Sequence, residues 1–216
     1  TEAIPLAIGY VAAYCNKIHG SKVEIVLFKY LEELEQAIID SPPDIIGLSN
    51  YAWNQNIGIE MFKLARQKNP DILTVWGGPN FPIDFPSQQK FMMKYHVVDV
   101  YVPLEGELGF SNIVATALNA KQKNDIRTQV ISQLIDGCVV RDKNNKLQYS
   151  GPGLRTNALD DIPSPYQTGI FDKFFDGRLS PLMQTNRGCP FQCTFCTDGI
   201  DEKQKVNQFS LDRVYS

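Results

Sequence analysis

Strand-like and helix-like segments alternate along the first half of the chain, and this alternation limits the fold more than any other feature. Short apolar runs typical of parallel strands that are covered on both faces occur at 44–49, 71–76 and 97–102. Helical spacing of apolar residues separates these runs, as at Met61 and Leu64. Because strands joined through helices pair in parallel, the sequence predicts an α/β fold over residues 1–120: a Rossmann-like, doubly wound parallel sheet.

The same pattern predicts the remaining elements of this region. A strand is expected over 23–28, and helices are expected over 3–18, 31–38, 57–65, 87–95 and 110–118, with Ser87 as the cap of the fourth. A doubly wound sheet usually opens with a central strand, whereas this chain opens with a helix and with a residue other than Met. We therefore expect an amino-terminal trim.

Beyond residue 120 the alternation weakens and polar residues become more frequent. Residues 121–165 are predicted to be a connector that contains one β-hairpin, formed by 138–141 and 147–149 around a turn at Asn144 and Asn145. A further unit is predicted over 166–216. It is expected to hold a short helix near 170–175 and a strand over 182–185 that leads into a cysteine cluster.

Composition narrows the possible partners and the compartment. The chain has 24 acidic and 21 basic residues, so it offers no basic field for nucleic acid, and small molecules are the expected partners. No window approaches the ~20 apolar residues of a membrane helix, which predicts a soluble protein. The five cysteines are odd in number and no secretory leader is evident, so a reducing, cytoplasmic setting is expected. Cys15 and Cys138 are interpreted as buried small hydrophobes.

Three cysteines lie within eight residues, at Cys189, Cys193 and Cys196. Their C-x3-C-x2-C spacing on a loop directly after a predicted strand is suited to wrapping thiolates around one small inorganic core. Three thiolates on a four-iron cluster would leave one iron open to a further ligand. Zinc remains an alternative, although structural zinc prefers four ligands, and incidental or disulfide-forming thiols are a second alternative.

The stretch from Leu182 to Cys196, LMQTNRGCPFQCTFC, resembles the start of the radical S-adenosylmethionine (radical SAM) enzymes. The resemblance implies that Cys189, Cys193 and Cys196 bind a [4Fe-4S] cluster whose fourth iron is chelated by SAM. Phe195 occupies the aromatic position before the last cysteine and would lie near the adenine. In that family, reductive cleavage of SAM yields a 5′-deoxyadenosyl radical, and an electron donor such as flavodoxin or ferredoxin is implied.

The first 120 residues resemble the cobalamin-binding domain that precedes the barrel in one branch of these enzymes. The matching pieces are PLAIGYVAAY, PDIIGLSNYAWN, VWGGPNFP and LEGE, in that order. The resemblance implies cobalamin contacts at the carboxyl ends of the strands, where open α/β sheets bind ligands. The residues concerned are Ser49, Tyr51, Asn54, Gly77, Gly78, Pro79, Asn80, Glu105 and Gly106.

Several of these features also have ordinary structural interpretations. Gly77 to Pro79 can be a tight turn alone, and Trp53 can be a packing residue rather than part of a cofactor face. The motif D-x-H-x-x-G, which supplies a histidine to cobalt, is absent, and His19 and His96 are interpreted as structural or surface residues. Cobalamin is therefore expected to bind without a histidine ligand, or the domain serves as a scaffold.

Other charged residues are interpreted without chemistry. Glu32, Glu33 and Glu35 are expected to form a solvated helix face, and the linker acids Asp160 and Asp161 are expected to be positional.

Only 20 residues follow Cys196, whereas a full β/α barrel needs ~250 residues. The chain therefore resembles the front portion of a longer enzyme, with little activity alone and the first part of a truncated barrel at its end. The first hypothesis for the parent is a cobalamin-dependent methyltransferase acting on an unactivated carbon or phosphorus, or a rearranging or ring-forming catalyst. The alternative is a module that binds cobalamin or another ligand, carries zinc on its cysteine loop and performs no catalysis.

Overall fold

A computed structural model of the chain describes residues 2–151, 153, 155–156, 158–196 and 198–215. Seven α-helices are described in this part of the chain: α1 Leu6–His19, α2 Leu31–Asp40, α3 Gln55–Lys68, α4 Phe85–Lys94, α5 Gly106–Ala117, α6 Ile126–Ile131 and α7 Leu211–Tyr215. The strands are β1 Ile45–Ser49, β2 Leu73–Gly77, β3 Val100–Val102, β4 Val139–Arg141, β5 Leu147–Tyr149, β6 Asn186–Arg187 and β7 Asn207–Gln208. No helix of the described residues is long and apolar enough to cross a membrane.

The main sheet has five strands in the order β1-β2-β3-β4-β5. The first three strands are parallel, with Ile45 opposite Leu73 and Val75 opposite Val100. β4 runs antiparallel to β3, and β5 runs antiparallel to β4. The predicted α/β, Rossmann-like fold is confirmed, but the sheet is mixed rather than wholly parallel because the hairpin adds two antiparallel strands to its far side.

Both faces of the sheet are covered by helices, as the near-continuous apolar strands predict. On one face Trp76 and Tyr101 pack with Phe62 of α3 and Met92 of α4, and all four side chains are fully buried. On the other face Val75, Val100 and their neighbours pack against α5 and α6. Each apolar side chain buried in this way stabilises the fold by about 1.5–3 kcal/mol.

A buried carboxylate links the elements of the parallel half. Asp99 lies directly before β3 and is only 1% exposed. Its oxygens accept hydrogen bonds from Arg66 of α3 at 2.7 Å and from Arg127 of α6 at 2.9 Å, and Thr74 of β2 also donates to it. Asp99 thus joins α3, α6 and β2 to the start of β3. Burial of its charged carboxylate without these partners would be very costly.

Helix α1 connects the sheet to the carboxyl-terminal part of the chain. One side of α1 packs along α5. On its other side the Tyr10 ring stacks on Phe209 with centroids 5.8 Å apart, and Phe171 packs against Gly9. Ala3, before the helix, forms a parallel bridge to Ser180. The residues after 165 thus dock on the first helix rather than standing apart from the sheet.

The prediction of a strand over 23–28 is wrong. The segment keeps the alternating exposure of a strand, from half-buried Val23 through exposed Glu24 to half-buried Ile25, but it carries no strand ladder. β1 is the edge strand of the sheet, and both the segment and β1 line the same cleft. A β-strand needs a neighbouring strand with which to form hydrogen bonds, and the cleft lies where that neighbour would be.

Four local predictions are also corrected by the structure. α4 is capped by Asp84, whose Oδ1 accepts from the Ser87 amide at 2.9 Å, so Ser87 lies inside the helix. α1 begins only after Pro5, and the helix expected near 170–175 is one 3₁₀ turn, Asp172–Phe174. The strand expected over 182–185 lies instead at β6, paired antiparallel with β7. The expected start of a parallel barrel is not seen within the described residues and stays a prediction, as do the domain boundaries at 120 and 165.

Candidate functional site

The carboxyl ends of the three parallel strands open onto a large cleft of about 2370 Å³. This volume exceeds the ~300–1,000 Å³ of an ordinary small-molecule pocket, so the cleft suits a large ligand. A second part of the same cleft runs along the free edge of β1, opposite the segment 23–28. Of the residues predicted for cobalamin, those that line the cleft are Ser49, Tyr51, Asn54, Gly77, Gly78, Pro79, Glu105 and Gly106.

The turn after β1 is held by Asn54. Its Oδ1 accepts a hydrogen bond from the Tyr51 amide at 2.7 Å, and its Nδ2 donates to the Ser49 carbonyl at 3.0 Å. A short polar side chain that bonds to nearby backbone in this way fixes a turn without regular secondary structure. Asn54 therefore organises the loop that carries Ser49 and Tyr51 at the cleft.

The turn after β2 is held by a residue that the sequence analysis missed, Asn50. Its side chain is fully buried, donates to the Asn80 carbonyl at 2.9 Å and accepts from Asn80 Nδ2 at 3.2 Å. Gly78 has φ +114°, and a Cβ there would lie 2.8 Å from the Asn50 carbonyl oxygen. Gly78 is thus required both by its backbone conformation and by the close approach of the neighbouring loop.

Tyr101 of β3 completes this arrangement and was also missed. Its hydroxyl donates to the Gly78 carbonyl at 2.8 Å and accepts from Asn50 Nδ2 at 3.3 Å. Burial raises the pKa of Tyr101 above its ordinary value, so the phenol stays neutral and able to donate. Nothing in the sequence distinguished Asn50 and Tyr101 from other polar and aromatic residues near strand ends, because the signal is the pairing across two loops.

An aromatic pair projects beside these loops. The rings of Tyr51 and Trp53 are stacked with centroids 4.6 Å apart, and Trp53 is 74% exposed although it lines the cleft. A packing residue of this size is normally covered. The exposed indole therefore favours the interpretation of Trp53 as part of a ligand-binding face.

Gln88 of α4 also lines the cleft, with its side chain nearly fully buried. Its Nε2 donates to the carbonyls of Pro82 and Ile83, while its Oε1 has no hydrogen-bond partner among the described residues. A buried acceptor without a partner is unusual in a folded protein. Gln88 Oε1 is thus a buried acceptor without a described partner, in a residue at the wall of the cleft.

Two acids lie where β3 passes into α5, Glu105 just before the helix and Glu107 in its first turn, and the side chains of both already have partners. Glu105 accepts from Arg155 Nε at 3.0 Å and from the Thr156 amide at 3.0 Å. Glu107 accepts from Arg187 Nη2 at 2.6 Å. Burial alone lowers the pKa of Arg187, but the hydrogen bond and charge of Glu107, together with Glu105, raise it overall, so the guanidinium stays protonated.

The predicted cysteine loop lies at the surface. Cys189 is half-buried and Cys193 and Cys196 are exposed. The Cys189 amide donates to the Lys203 carbonyl at 2.9 Å, and the Cys196 amide donates to the Cys193 carbonyl at 3.0 Å. The described residues contain no group of three Cys, His, Asp or Glu side chains placed to hold a metal. The donor set thus suits an iron–sulfur cluster, but the three sulfurs are not gathered.

The glycine before the loop is fixed by its surroundings. Gly188 has φ +106°, and a Cβ there would lie 2.3 Å from the Lys205 carbonyl oxygen. Gly188 and Asp198, on either side of the cysteines, line the cleft. Phe195, predicted to lie near adenine, is 91% exposed. The loop therefore borders the cleft while its aromatic side chain is free of the protein.

The remaining predicted residues have the roles that the sequence indicated. Cys15 and Cys138 are fully buried, and burial raises the pKa of Cys15 to about 11 and that of Cys138 to about 12. His19 contacts the Ser111 hydroxyl at 3.0 Å, His96 is exposed, and neither histidine lines the cleft. The helix acids Glu32, Glu33 and Glu35 are exposed. Asp160, in the linker, accepts a hydrogen bond from the Ser210 amide at 3.0 Å, so its carboxylate holds the backbone at Ser210 in place.

Comparison with known proteins identifies the first part of the chain. The family described as the B12 binding domain matches residues 1–114. Among curated proteins, the cobalamin-dependent radical SAM methyltransferase TokK of Streptomyces tokunonensis is 29% identical over 223 residues, which cover 98% of this chain. The 2-(S-pantetheinyl)-carbapenam-3-carboxylate methyltransferase of Streptantibioticus cattleyicolor is 28% identical over 98% of this chain. The chain spans 31% of the length of each of these relatives.

A solved structure shares the fold. It is that of the cobalamin-dependent S-adenosylmethionine radical enzyme OxsB with aqua-cobalamin and S-adenosylmethionine bound. The TM-score is 0.64 at 22% identity, and the match covers 98% of this chain and 28% of OxsB. At this identity the match shows the common fold.

Proposed function

The chain belongs to the B12-binding domain family, and on that premise we propose that it is the front portion of a cobalamin-dependent radical SAM methyltransferase. One observation carries the proposal. The cleft at the carboxyl ends of β1 to β3 extends to both sides of the loop that holds Cys189, Cys193 and Cys196. A site for a large cofactor and a site for a cluster would then border one cleft, as a reaction that uses both requires.

Cobalamin would be held by the loops that follow β1 and β2. Ser49, Tyr51 and Asn54 present one wall, and Gly77, Gly78 and Pro79 present backbone that a ligand can approach closely, while Asn80 lies behind them and bonds to Asn50. The unpartnered Gln88 Oε1 suits the amide groups at the rim of a corrin ring. Trp53 offers an apolar face, which is consistent with the absence of a histidine motif for cobalt.

The cysteine loop would supply three thiolate ligands. Cys189, Cys193 and Cys196 would hold a [4Fe-4S] cluster, and Phe195 would contact the adenine of SAM. When bound, the cluster with SAM supplies one-electron cleavage chemistry and cobalamin supplies a carrier for the methyl group. We propose flavodoxin or ferredoxin as the electron donor, a small molecule as the methyl acceptor and the cytoplasm as the compartment.

The chain's own groups would orient these cofactors. Asn50, Asn80 and the neutral Tyr101 hold the two cofactor loops in one geometry before any ligand arrives. Preorganisation of this kind lowers the ordering cost of binding. The protonated Arg187 lines the cleft two residues before Cys189, and its charge is paired with that of Glu107.

Two titrations on the purified chain test the proposal. Aqua-cobalamin is added and its visible spectrum is followed, and iron and sulfide are then supplied without oxygen and counted. We expect about one cobalamin per chain and about four irons with four sulfides. Cys189→Ala should lose the iron, whereas the buried Cys15→Ala should keep it. Zinc without sulfide, or no uptake of cobalamin, would refute the corresponding half of the proposal.

A further inference from the structure

Two arginines fasten the chain on both sides of the cysteine loop to the two acids where β3 passes into α5. Arg187, two residues before Cys189, has a side chain only 11% exposed; its Nη2 lies 2.6 Å from Glu107 Oε1 and its Nη1 lies 3.7 Å from Glu105 Oε2. Its guanidinium also lies over the Tyr10 ring, 5.3 Å from the centroid. The strand that leads into the loop is thus held to the start of α5 and to α1 by a paired and stacked cation.

Arg155 holds the chain that leaves the loop. Its Nε donates to Glu105 Oε1 at 3.0 Å, and its Nη1 donates to the carbonyls of Glu202 at 3.2 Å and Lys205 at 2.8 Å. The Lys205 carbonyl is also the atom against which Gly188 packs. Through Arg155, Glu105 is thus linked to the chain that follows the loop, as Glu107 is linked through Arg187 to the chain that precedes it.

These ion pairs are poorly exposed, with Glu107 4% and Glu105 17% exposed in their side chains. A buried ion pair contributes little net stability, because loss of hydration offsets most of the attraction, whereas its fixed hydrogen-bond directions specify one arrangement. An apolar contact of similar volume would stabilise the fold as well without fixing the loop. Such pairs therefore fix the orientation of the cysteine loop more than they stabilise the fold.

The same four side chains border the cleft. Glu105, Glu107, Arg155 and Arg187 all line it. They therefore border the same cleft as the loops proposed to hold cobalamin, and Arg187 lies two residues before the first cysteine of the loop. Two cofactors that act on one substrate must keep a fixed separation, because a displacement of about 1 Å already costs a large factor in rate.

We propose that Glu105 and Glu107 are positioning residues that, through Arg155 and Arg187, fix the place of the cysteine loop relative to the cobalamin cleft. The assignment rests on the proposed function for its catalytic meaning. It also gives Glu105 a role that differs from direct contact with cobalamin, since both of its carboxylate oxygens accept hydrogen bonds from the chain.

Hydrogen exchange of the full chain without cofactors tests whether the acids fix the loop. In Glu107→Gln we expect amide exchange over 186–190 to rise about tenfold or more, and exchange in β1 and β2 to rise by a smaller factor. Glu105→Gln should have the same effect over 202–206. Glu60→Gln, which breaks an exposed pair with Lys63, is the matched control and should change neither region. Unchanged exchange at the loop, or an equal rise in β1 and β2, would overturn the proposal.

A spectroscopic distance tests the relation between the two sites. In the chain loaded with cob(II)alamin and with a cluster that dithionite has reduced to its paramagnetic [4Fe-4S]+ state, the magnetic coupling between the two spins should give one narrow distance in the wild type and a broader distribution in Arg187→Met, with Arg187→Lys in between. Identical distributions in all three would overturn the proposal. If the wild type takes up no cobalamin, the proposed function fails, and the exchange experiment alone decides whether the acids fix the loop.

Discussion

The hydroxyl of Tyr101 donates a hydrogen bond to the Gly78 carbonyl, 2.8 Å away, and so joins β3 to the turn that follows β2. Tyr101→Phe leaves that carbonyl and Asn50 Nδ2 without this partner in a buried place. We expect a loss of about 1–2 kcal/mol in the free energy of unfolding, measured with urea, and weaker binding of aqua-cobalamin. Tyr14→Phe is the control, because the Tyr14 hydroxyl has no hydrogen bond within the described residues. Equal stability of the two variants would contradict this account.

Substitution of the exposed Trp53 should change ligand binding without changing the stability of the fold. Trp53→Ala removes a side chain that is 74% exposed, so the free energy of unfolding should change by less than about 0.5 kcal/mol. If the indole contacts cobalamin, the dissociation constant measured by absorbance should rise about tenfold or more. Leu134→Ala, at a residue that is 57% exposed and outside the cleft, should change neither quantity. An unchanged dissociation constant for Trp53→Ala would remove this residue from the site.

Gly188 should be needed for cluster assembly in a way that another left-handed glycine is not. A methyl group at Gly188 would overlap the Lys205 carbonyl, whereas Gly177, with φ +77°, has nothing within 4 Å of its Cβ position. We expect Gly188→Ala to displace the loop and at least halve the iron bound after reconstitution. Gly177→Ala should carry the same backbone strain and keep its iron. Full iron content in both variants would show that the loop tolerates displacement.

Removal of the charge of Asp99 should be the most damaging of these changes. Asp99→Asn would leave the partly exposed Arg66 and Arg127 facing a neutral group, so we expect a loss of about 2–3 kcal/mol, less than the cost of breaking a pair in which both partners are buried. Urea unfolding measures the loss. Glu60→Gln, in an exposed pair, should cost at most about 1 kcal/mol. A loss below about 1 kcal/mol for Asp99→Asn would mean that the arginines are solvated in the folded protein.

Cys138 should make the protein less stable in alkaline solution. Burial raises the pKa of its thiol to about 12 in the folded chain, against about 8.5–9 when unfolded. The contribution is therefore complete below pH ~9 and is lost as pH rises toward 12, because the unfolded chain releases the proton first.

Cys138→Ala removes this dependence. Its free energy of unfolding should fall less steeply between pH 8 and 10.5 than that of the wild type, by up to about 1.4 kcal/mol per pH unit. Cys193→Ala removes an exposed thiol and should keep the wild-type slope. Parallel slopes for wild type and Cys138→Ala would refute the assignment.

Much of the sheet was predictable because its strands are short apolar runs between helical repeats. β1, β2 and β3 lie within the predicted runs or one residue beyond them, and five predicted helices are present with shifted ends. The segment 23–28 misled the prediction because a short run of β-branched and large apolar residues reports β propensity and not whether a neighbouring strand is there. β6 was misplaced because a two-residue ladder leaves no periodicity to detect.

The site was predictable at the level of motifs but not of contacts. The cysteine spacing and the glycine turn after β2 are visible in the sequence, since each is local. The pairing of Asn50 with Asn80, and of Arg187 with Glu107, joins residues 30 and 80 positions apart. Such pairs depend on how the sheet and α1 bring distant segments together, which no local pattern records.

The hairpin of β4 and β5 occupies the edge of the sheet beyond β3, so the segment between the two halves of the chain is itself part of the first half's sheet. This arrangement decides where the domain can be cut when it is exchanged with that of a related protein. A junction placed at residue 120 would strip β3 of its partner and expose a row of unpaired amides and carbonyls, which invites aggregation. A junction placed after Tyr149 would keep β4 and β5 in the domain, so that β3 retains its neighbouring strand.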